Sequence, residues 1–130
     1  MDVLIVDDQL RARRSLRALL ATWSPVEGVR EAVNGREALE LVKAAPPDLV
    51  IMDARMPEMD GLAATREIKA RWPQVRVVVL SIYGEYSEEA LAAGADAFVT
   101  KGEPPRQLLI TLASVTGSGV VSNLNAEGVV

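Results

Sequence analysis

The stretch Leu49-Val50-Ile51-Met52-Asp53-Ala54-Arg55-Met56-Pro57 decides how this chain folds. Four apolar residues follow Pro46-Pro47, run into a carboxylate and end at a Pro57 turn. An uninterrupted apolar run of this length predicts a short strand buried on both faces, because a half-exposed strand would alternate with polar residues. The same pattern occurs twice more. Val3-Leu4-Ile5-Val6 runs into Asp7-Asp8, and Val77-Val78-Val79-Leu80 runs into Ser81. Three buried strands each deliver a polar group at the C-terminal end.

Between these strands the apolar period changes to that of helices. Leu10 to Trp23 places Leu16, Leu19, Leu20 and Trp23 on one face, with Arg11, Arg13, Arg14 and Arg17 largely off it, which reads as a solvated side. Ser24-Pro25 and Gly28 end that helix, and Val29 to Val33 fit a second strand. Asn34-Gly35 opens a helix with Ala38, Leu39, Val42 and Ala45 inward, stopped by Pro46-Pro47. Asp60-Gly61 opens a third, through Ile68 to Trp72, ended by Pro73. Glu85 to Ala93 reads as a short Ala-rich helix closed by Gly94, where left-handed backbone is easiest for glycine. Residues 97 to 100 make a fifth strand, and Pro104-Pro105 suits the first turn of a last helix, Arg106 to about Thr116, with Leu108, Leu109 and Leu112 inward. Gly117 to Val130 has no clear period and stays unassigned, as a tail or linker stub.

Five strands alternating with five helices predict an α/β fold, a doubly wound five-stranded parallel sheet covered on both faces. Crossovers between parallel strands are right-handed in ~98% of cases, so the C-terminal strand ends share one edge. Sites in such sheets form outside that edge. Asp7, Asp8, Asp53, Ser81 and Lys101 all fall there.

Composition narrows the chemistry. At 130 residues, 49% hydrophobic and 25% charged, the chain fits one domain with one core. It has neither cysteine nor histidine, so disulfides, thiolate sites and imidazole ligands are excluded and any metal must be held by oxygen. Carboxylates at this density favour a magnesium-like site completed by water. The N-terminus enters a strand at once, without a basic leader or an apolar span near twenty residues, so a soluble, cytoplasmic chain with no membrane contact is expected. A net charge of −4 argues against direct nucleic-acid binding.

Three carboxylates within about 5 Å repel by roughly 3 kcal/mol per pair at an effective dielectric near 20. A divalent cation relieves that repulsion. The same cation, a lysine ammonium and a serine hydroxyl would also match an incoming phosphoryl group, whose transfer depends mainly on positioning and charge neutralisation. Asp53 then becomes a nucleophile toward phosphorus.

With these residues in order, the sequence resembles a response-regulator receiver domain of bacterial two-component signalling. The resemblance covers residues 1 to about 116: Asp7-Asp8 for the acidic pair, Asp53 for the phosphoacceptor, Met56-Pro57 with Asp60-Gly61 for the loop after strand three, Ser81 for the switch hydroxyl and Lys101 for the lysine. It implies the flavodoxin-like strand order 2-1-3-4-5 and a sensor histidine kinase as phosphoryl donor. It implies Mg²⁺ bound by Asp8, Asp53 and the backbone carbonyl of Arg55, with Asp7 acting through water. Phe98 matches the switch aromatic, and the output surface would be the fourth helix, fifth strand and fifth helix. The first helix in the family meets the kinase, which gives its arginines a docking reading. Homodimerisation on phosphorylation and control of transcription through a helix-turn-helix domain absent from this chain are further implications.

Some positions depart from the family pattern. Gly102 follows Lys101 where many members carry proline, and the Ser81-to-Lys101 segment is about two residues shorter than usual, which predicts a shortened fourth helix or preceding loop. The resemblance implies that Arg55 and Tyr83 occupy positions that flank the phosphoacceptor and influence hydrolysis, and their bulk is expected to limit water access. Two rival functions fit the sequence less well. A phosphohydrolase using an aspartyl phosphate typically carries a second Asp where this chain has Arg55. A degenerate receiver serving as a dimerisation scaffold would not need Asp7, Asp8, Asp53, Ser81 and Lys101 together. Nucleotide-binding glycine motifs are absent after the first strand.

Overall fold

The computed structural model describes residues 1–56 and 59–118. Pro57 and residues 119–130 of the expected tail lie outside them. Five strands, β1 (Asp2–Val6), β2 (Gly28–Ala32), β3 (Leu49–Asp53), β4 (Arg76–Ser81) and β5 (Ala97–Thr100), alternate with five helices. These are α1 (Leu10–Leu20), α2 (Gly35–Ala44), α3 (Gly61–Arg71), α4 (Ser87–Ala92) and α5 (Pro105–Thr116). The sheet is wholly parallel in the order β2-β1-β3-β4-β5. The expected flavodoxin-like order is the observed one.

Alternate residues of each buried strand feed opposite layers, as the two-residue strand period requires. Leu4, Val6, Val50, Met52, Val77 and Val79 form one core with residues of α2, α3 and α4. Val3, Ile5, Leu49, Ile51, Val78 and Leu80 form the other with α1 and α5, chiefly Leu20, Leu108, Leu109 and Leu112. Each such side chain contributes about 1.5–3 kcal/mol on burial. The central strands are apolar throughout because both of their faces are covered.

Helix starts follow local chemistry. The Asn34 side chain accepts from Glu37 N–H at 2.8 Å and the Asp60 side chain from Ala63 N–H at 2.8 Å, each satisfying a donor that the first helical turn leaves free. Gly94 adopts φ +100° after α4, as expected.

Three details differ from expectation. Trp23 lies beyond α1, because the Thr22 hydroxyl takes the Leu19 carbonyl at 2.7 Å and the chain turns, yet the Trp23 side chain is still buried. Ala45 is exposed, not inward; it precedes Pro46, which disfavours helical backbone at the residue before it, and it is extended at φ −156°. Val33 is exposed beyond the end of β2, whose last partner in β1 is Val6. The fourth helix is short, as expected: it begins as a 3₁₀ turn, Gly84–Tyr86, leaving only six α-helical residues in α4.

The arginine side of α1 is not uniformly solvated. Arg13 and Arg17 both pair with Glu31 of β2 at 2.8 Å, and the Arg13 side chain is only 12% exposed. Arg11 and Arg14 face solvent.

Candidate functional site

Asp7 continues the β1 ladder by one residue, its N–H donating to the Ala32 carbonyl at 3.1 Å. Its side chain is buried, with Oδ1 accepting from Gln9 N–H at 2.9 Å, which folds the chain tightly into α1. Asp8, the next residue, is exposed.

Asp53 closes β3 opposite Leu80. The chain behind it is fixed by Ala54 N–H donating to Leu80 at 2.9 Å and Gly61 N–H donating to Ala54 at 3.0 Å. Gly61 lies so close that a Cβ there would sit 1.8 Å from the Asp53 carbonyl oxygen. The first turn of α3 therefore presses directly on the backbone of Asp53.

Lys101 follows β5 and is anchored by its N–H to the Ser81 carbonyl at 2.8 Å. Its ammonium donates to Asp7 Oδ2 at 2.9 Å and stands 3.4 Å from Asp53 Oδ1. Ser81, the last residue of β4, is buried, and its Oγ accepts from Tyr83 N–H at 3.0 Å. The Arg55 guanidinium lies 5.7 Å from the Tyr83 ring centroid, and that ring meets Tyr86 edge-on at 6.1 Å.

One carboxylate oxygen from each of Asp7, Asp8 and Asp53 lies within 4.8 Å of the others. An open cleft of about 630 Å³ is lined by Asp8, Asp53, Arg55, Ser81, Tyr83 and Lys101, together with α1 residues that include Arg11. The sequence-predicted group thus shares one edge of the sheet. Phe98 does not line this cleft; it is half-buried in β5, opposite Val79, against the layer of α2, α3 and α4.

The electrostatics follow from burial and crowding. Burial pushes the Asp53 carboxyl above its ordinary pKa, and the Asp7 charge adds to this, against the opposing pull of Lys101 and the Arg55 backbone N–H. Burial works against the Lys101 ammonium, but its hydrogen bond to Asp7 and the charges of Asp53 and Asp7 outweigh it, so its pKa lies above the ordinary lysine value. An all-oxygen trio of this kind suits a hard divalent cation such as magnesium. The lysine and the cleft mouth beside it suit an anionic group.

Two relationships escaped sequence reading. The helical period puts Arg13 among the solvated arginines, and nothing in it marks a partner eighteen residues away on β2. Arg55 and Tyr83 are both expected beside the phosphoacceptor, but their mutual contact joins two loops and leaves no periodic trace.

Comparison with known proteins agrees with this architecture. Residues 3–113 match the family model described as response regulator receiver domain. The chain is 40% identical over 113 residues to the uncharacterized transcriptional regulatory protein YhcZ of Bacillus subtilis (strain 168), covering 85% of this chain and 53% of that protein. It is 40% identical over 101 residues to response regulator protein VraR of Staphylococcus aureus (strain NCTC 8325 / PS 47), covering 76% and 48%. The chain spans about half the length of the curated relatives it matches. Among solved structures, a LuxR-family two-component response regulator from Aurantimonas sp. SI85-9A1 superposes with TM-score 0.84 at 26% identity, covering 98% of this chain and 96% of that one. A chain of the CheX-CheY-BeF3-Mg+2 complex from Borrelia burgdorferi superposes with TM-score 0.82 at 28% identity, covering 88% of each chain. No helix among the described residues is long and apolar enough to cross a membrane. With sheet order, strand-end acids and sequence in agreement, this chain belongs to the response regulator receiver domain family.

Proposed function

We propose that Asp53 accepts a phosphoryl group from the phosphohistidine of a sensor histidine kinase. The observation that carries this reading is the placement of Asp53 in an open cleft, with the Asp7 and Asp8 carboxylates within 4.8 Å and the Lys101 ammonium at 3.4 Å. An Asp53 carboxylate oxygen forms the new bond to phosphorus as the bond from phosphorus to the donor imidazole breaks. Phosphoryl transfer needs little more than positioning and charge compensation, and this edge of the sheet supplies both.

Mg²⁺ is the cofactor in this reading. Asp8, Asp53 and the backbone carbonyl of Arg55 would hold it, with Asp7 acting through water; the clustered oxygens and the lack of histidine and cysteine fit that ion. When bound, it neutralises charge shared between the carboxylates and the phosphoryl oxygens. Lys101 pairs with a phosphoryl oxygen. Ser81 donates its hydroxyl hydrogen to another as the side chain moves toward the phosphoryl group, an exchange of position that gives up the bond its Oγ accepts from Tyr83 N–H.

That exchange couples the site to the segment between β4 and α4, and from there to the α4, β5 and α5 surface, with Phe98 as the aromatic that follows. Arg55 and Tyr83, in contact across the cleft mouth, slow the loss of the phosphoryl group by restricting water. The chain assists its own phosphorylation and dephosphorylation and is not a turnover enzyme. We place it in the cytoplasm, with dimerisation on phosphorylation and a transcriptional output. The relatives support that output: one is named a transcriptional regulatory protein, and a solved neighbour at 27% identity is titled a DNA-binding response regulator of the LuxR family.

The test is incubation with a small phosphodonor and Mg²⁺, followed by intact mass, beside Asp53→Ala. One added phosphoryl mass on the parent chain and none on the variant is the expected result. Addition that survives Asp53→Ala, or none at all, overturns the reading, and steady phosphate release from varied monoesters points to a hydrolase.

A further inference from the structure

Asp7 is held at every polar atom. Its N–H donates to Ala32, Oδ1 accepts from Gln9 and Oδ2 accepts from Lys101. The remaining carbonyl oxygen accepts from Arg13 Nη1 at 2.8 Å. Arg13 is aimed from the far side, since its Nε donates to Glu31 Oε1 at 2.8 Å while Arg17 holds Glu31 Oε2 at 2.8 Å. Glu31 directly precedes Ala32, so two consecutive residues of β2 grip Asp7, one through the backbone and one through a guanidinium.

We propose that Arg13, held in place by Glu31, is a positioning residue for cation binding: by fixing the carbonyl of the Asp7–Asp8 peptide it sets that peptide plane and so keeps the two carboxylates converged on Asp53. The proposal rests on the reading of Asp7, Asp8 and Asp53 as a Mg²⁺ site. Arg13 touches neither the cleft nor a carboxylate of the trio. It acts on the planar peptide unit whose reorientation, by rotation about the Asp7 Cα–C and Asp8 N–Cα bonds, would carry the exposed Asp8 away from the buried Asp7. An unpartnered guanidinium this close would also repel a cation, and the Glu31 carboxylate cancels that charge. Partners of metal ligands in such positions typically change affinity 10–100-fold.

The test uses the full chain and MgCl₂ as the probe, with affinity from isothermal titration calorimetry and fold from thermal melts. Arg13→Gln is expected to weaken Mg²⁺ about tenfold. Its phosphorylation by a small phosphodonor is slow at low Mg²⁺ and recovers at saturating Mg²⁺. Arg17→Gln, which breaks the other half of the Glu31 clamp without touching Asp7, lowers the melting temperature and leaves Mg²⁺ affinity within twofold. Arg13→Lys keeps a cation near Glu31 but cannot bridge both partners, and it too binds Mg²⁺ more weakly. If Arg13→Gln fails to fold, Arg13→Lys decides. Parent-like affinity in a folded Arg13 variant, or an equal loss in Arg17→Gln, overturns the proposal. A parent chain that binds no Mg²⁺ overturns the underlying site reading instead, and this proposal with it.

Discussion

Lys101 Nζ donates to Asp7 Oδ2 at 2.9 Å, a bond that joins the end of β5 to the end of β1 across the intervening strands. The Asp7 side chain is 2% exposed and that of Lys101 28%. Removing the ammonium leaves a buried carboxylate with one backbone donor. Because the lysine is partly exposed, Lys101→Met is expected to destabilise the metal-free chain by about 1–3 kcal/mol, the cost of leaving a buried acceptor short of a donor. The same change frees carboxylates for a cation, so Mg²⁺ affinity should rise several-fold. Because the Lys101 pKa is raised, its stabilisation is full below 10.5 and fades as pH climbs through the raised value. Melts in EDTA with a Mg²⁺ titration check both signs; a fall in both stability and affinity would mean that Lys101 organises the acids instead of competing with a cation.

Asp53 shares the direction of this pH dependence, but in its ionised form it opposes folding. Its pKa is raised by burial and by Asp7, so its proton is bound more tightly in the folded chain than in the unfolded one. Stability from that group is complete below the ordinary value of 3.8 and is lost as pH rises through the raised pKa. At neutral pH the ionised carboxylate is a cost. Asp53→Asn should raise the melting temperature of the metal-free chain by about 1–3 °C at pH 7. The gain should vanish below the ordinary carboxylate range, and the variant should lose most of the stabilisation that Mg²⁺ gives the parent. An Asp53→Asn protein that melts lower than the parent in EDTA at pH 7 would contradict this account.

Gly61→Ala tests how α3 supports the site. A Cβ at this position would fall 1.8 Å from the Asp53 carbonyl oxygen and 2.9 Å from Met52 Cγ. The backbone of β3 is buried between two strands and cannot yield, so α3 must shift outward and strain the Gly61-to-Ala54 hydrogen bond. A loss of about 2–4 kcal/mol is expected, within the range of overpacked or strained cores. Denaturant unfolding measures it. A change below about 0.5 kcal/mol would show that the close approach is readily relieved.

Much of this arrangement was legible in the sequence because burial writes itself into strands as uninterrupted apolar runs. Val3 to Val6, Leu49 to Met52 and Val77 to Leu80 each end in a polar residue, and one rule about parallel crossovers brings Asp7, Asp8, Asp53, Ser81 and Lys101 to a common edge. Relations between elements were not legible. Whether Arg13 faces water or Glu31 depends on how α1 sits over β2, which the period of α1 does not record. Ala45 satisfied the helical period and still lay outside, because a local rule, the conformation before Pro46, overrode it. Phe98 shows the complementary limit: its place in β5 was readable, but the layer it packs against depends on strand register.

Arg55 and Tyr83 provide the last prediction, because they meet at the cleft mouth. The guanidinium lies 5.7 Å from the ring centroid, and both side chains are exposed, so the contact contributes little to stability, while both residues line the cleft that holds Asp53. If their bulk limits water, Arg55→Ala and Tyr83→Ala should each shorten the lifetime of the phosphorylated chain several-fold without moving the melting temperature by more than about 1 °C. Since each holds the other in place, the double variant should fall short of the product of the single effects, as touching residues do. Tyr83→Phe keeps the ring and should keep the lifetime. Loss of phosphoryl mass followed over time in Mg²⁺-free buffer after phosphorylation reads all four variants. Unchanged lifetimes in both single alanine variants would remove any shielding role. Strictly multiplicative effects would instead mean that each residue restricts water independently and that their contact is incidental.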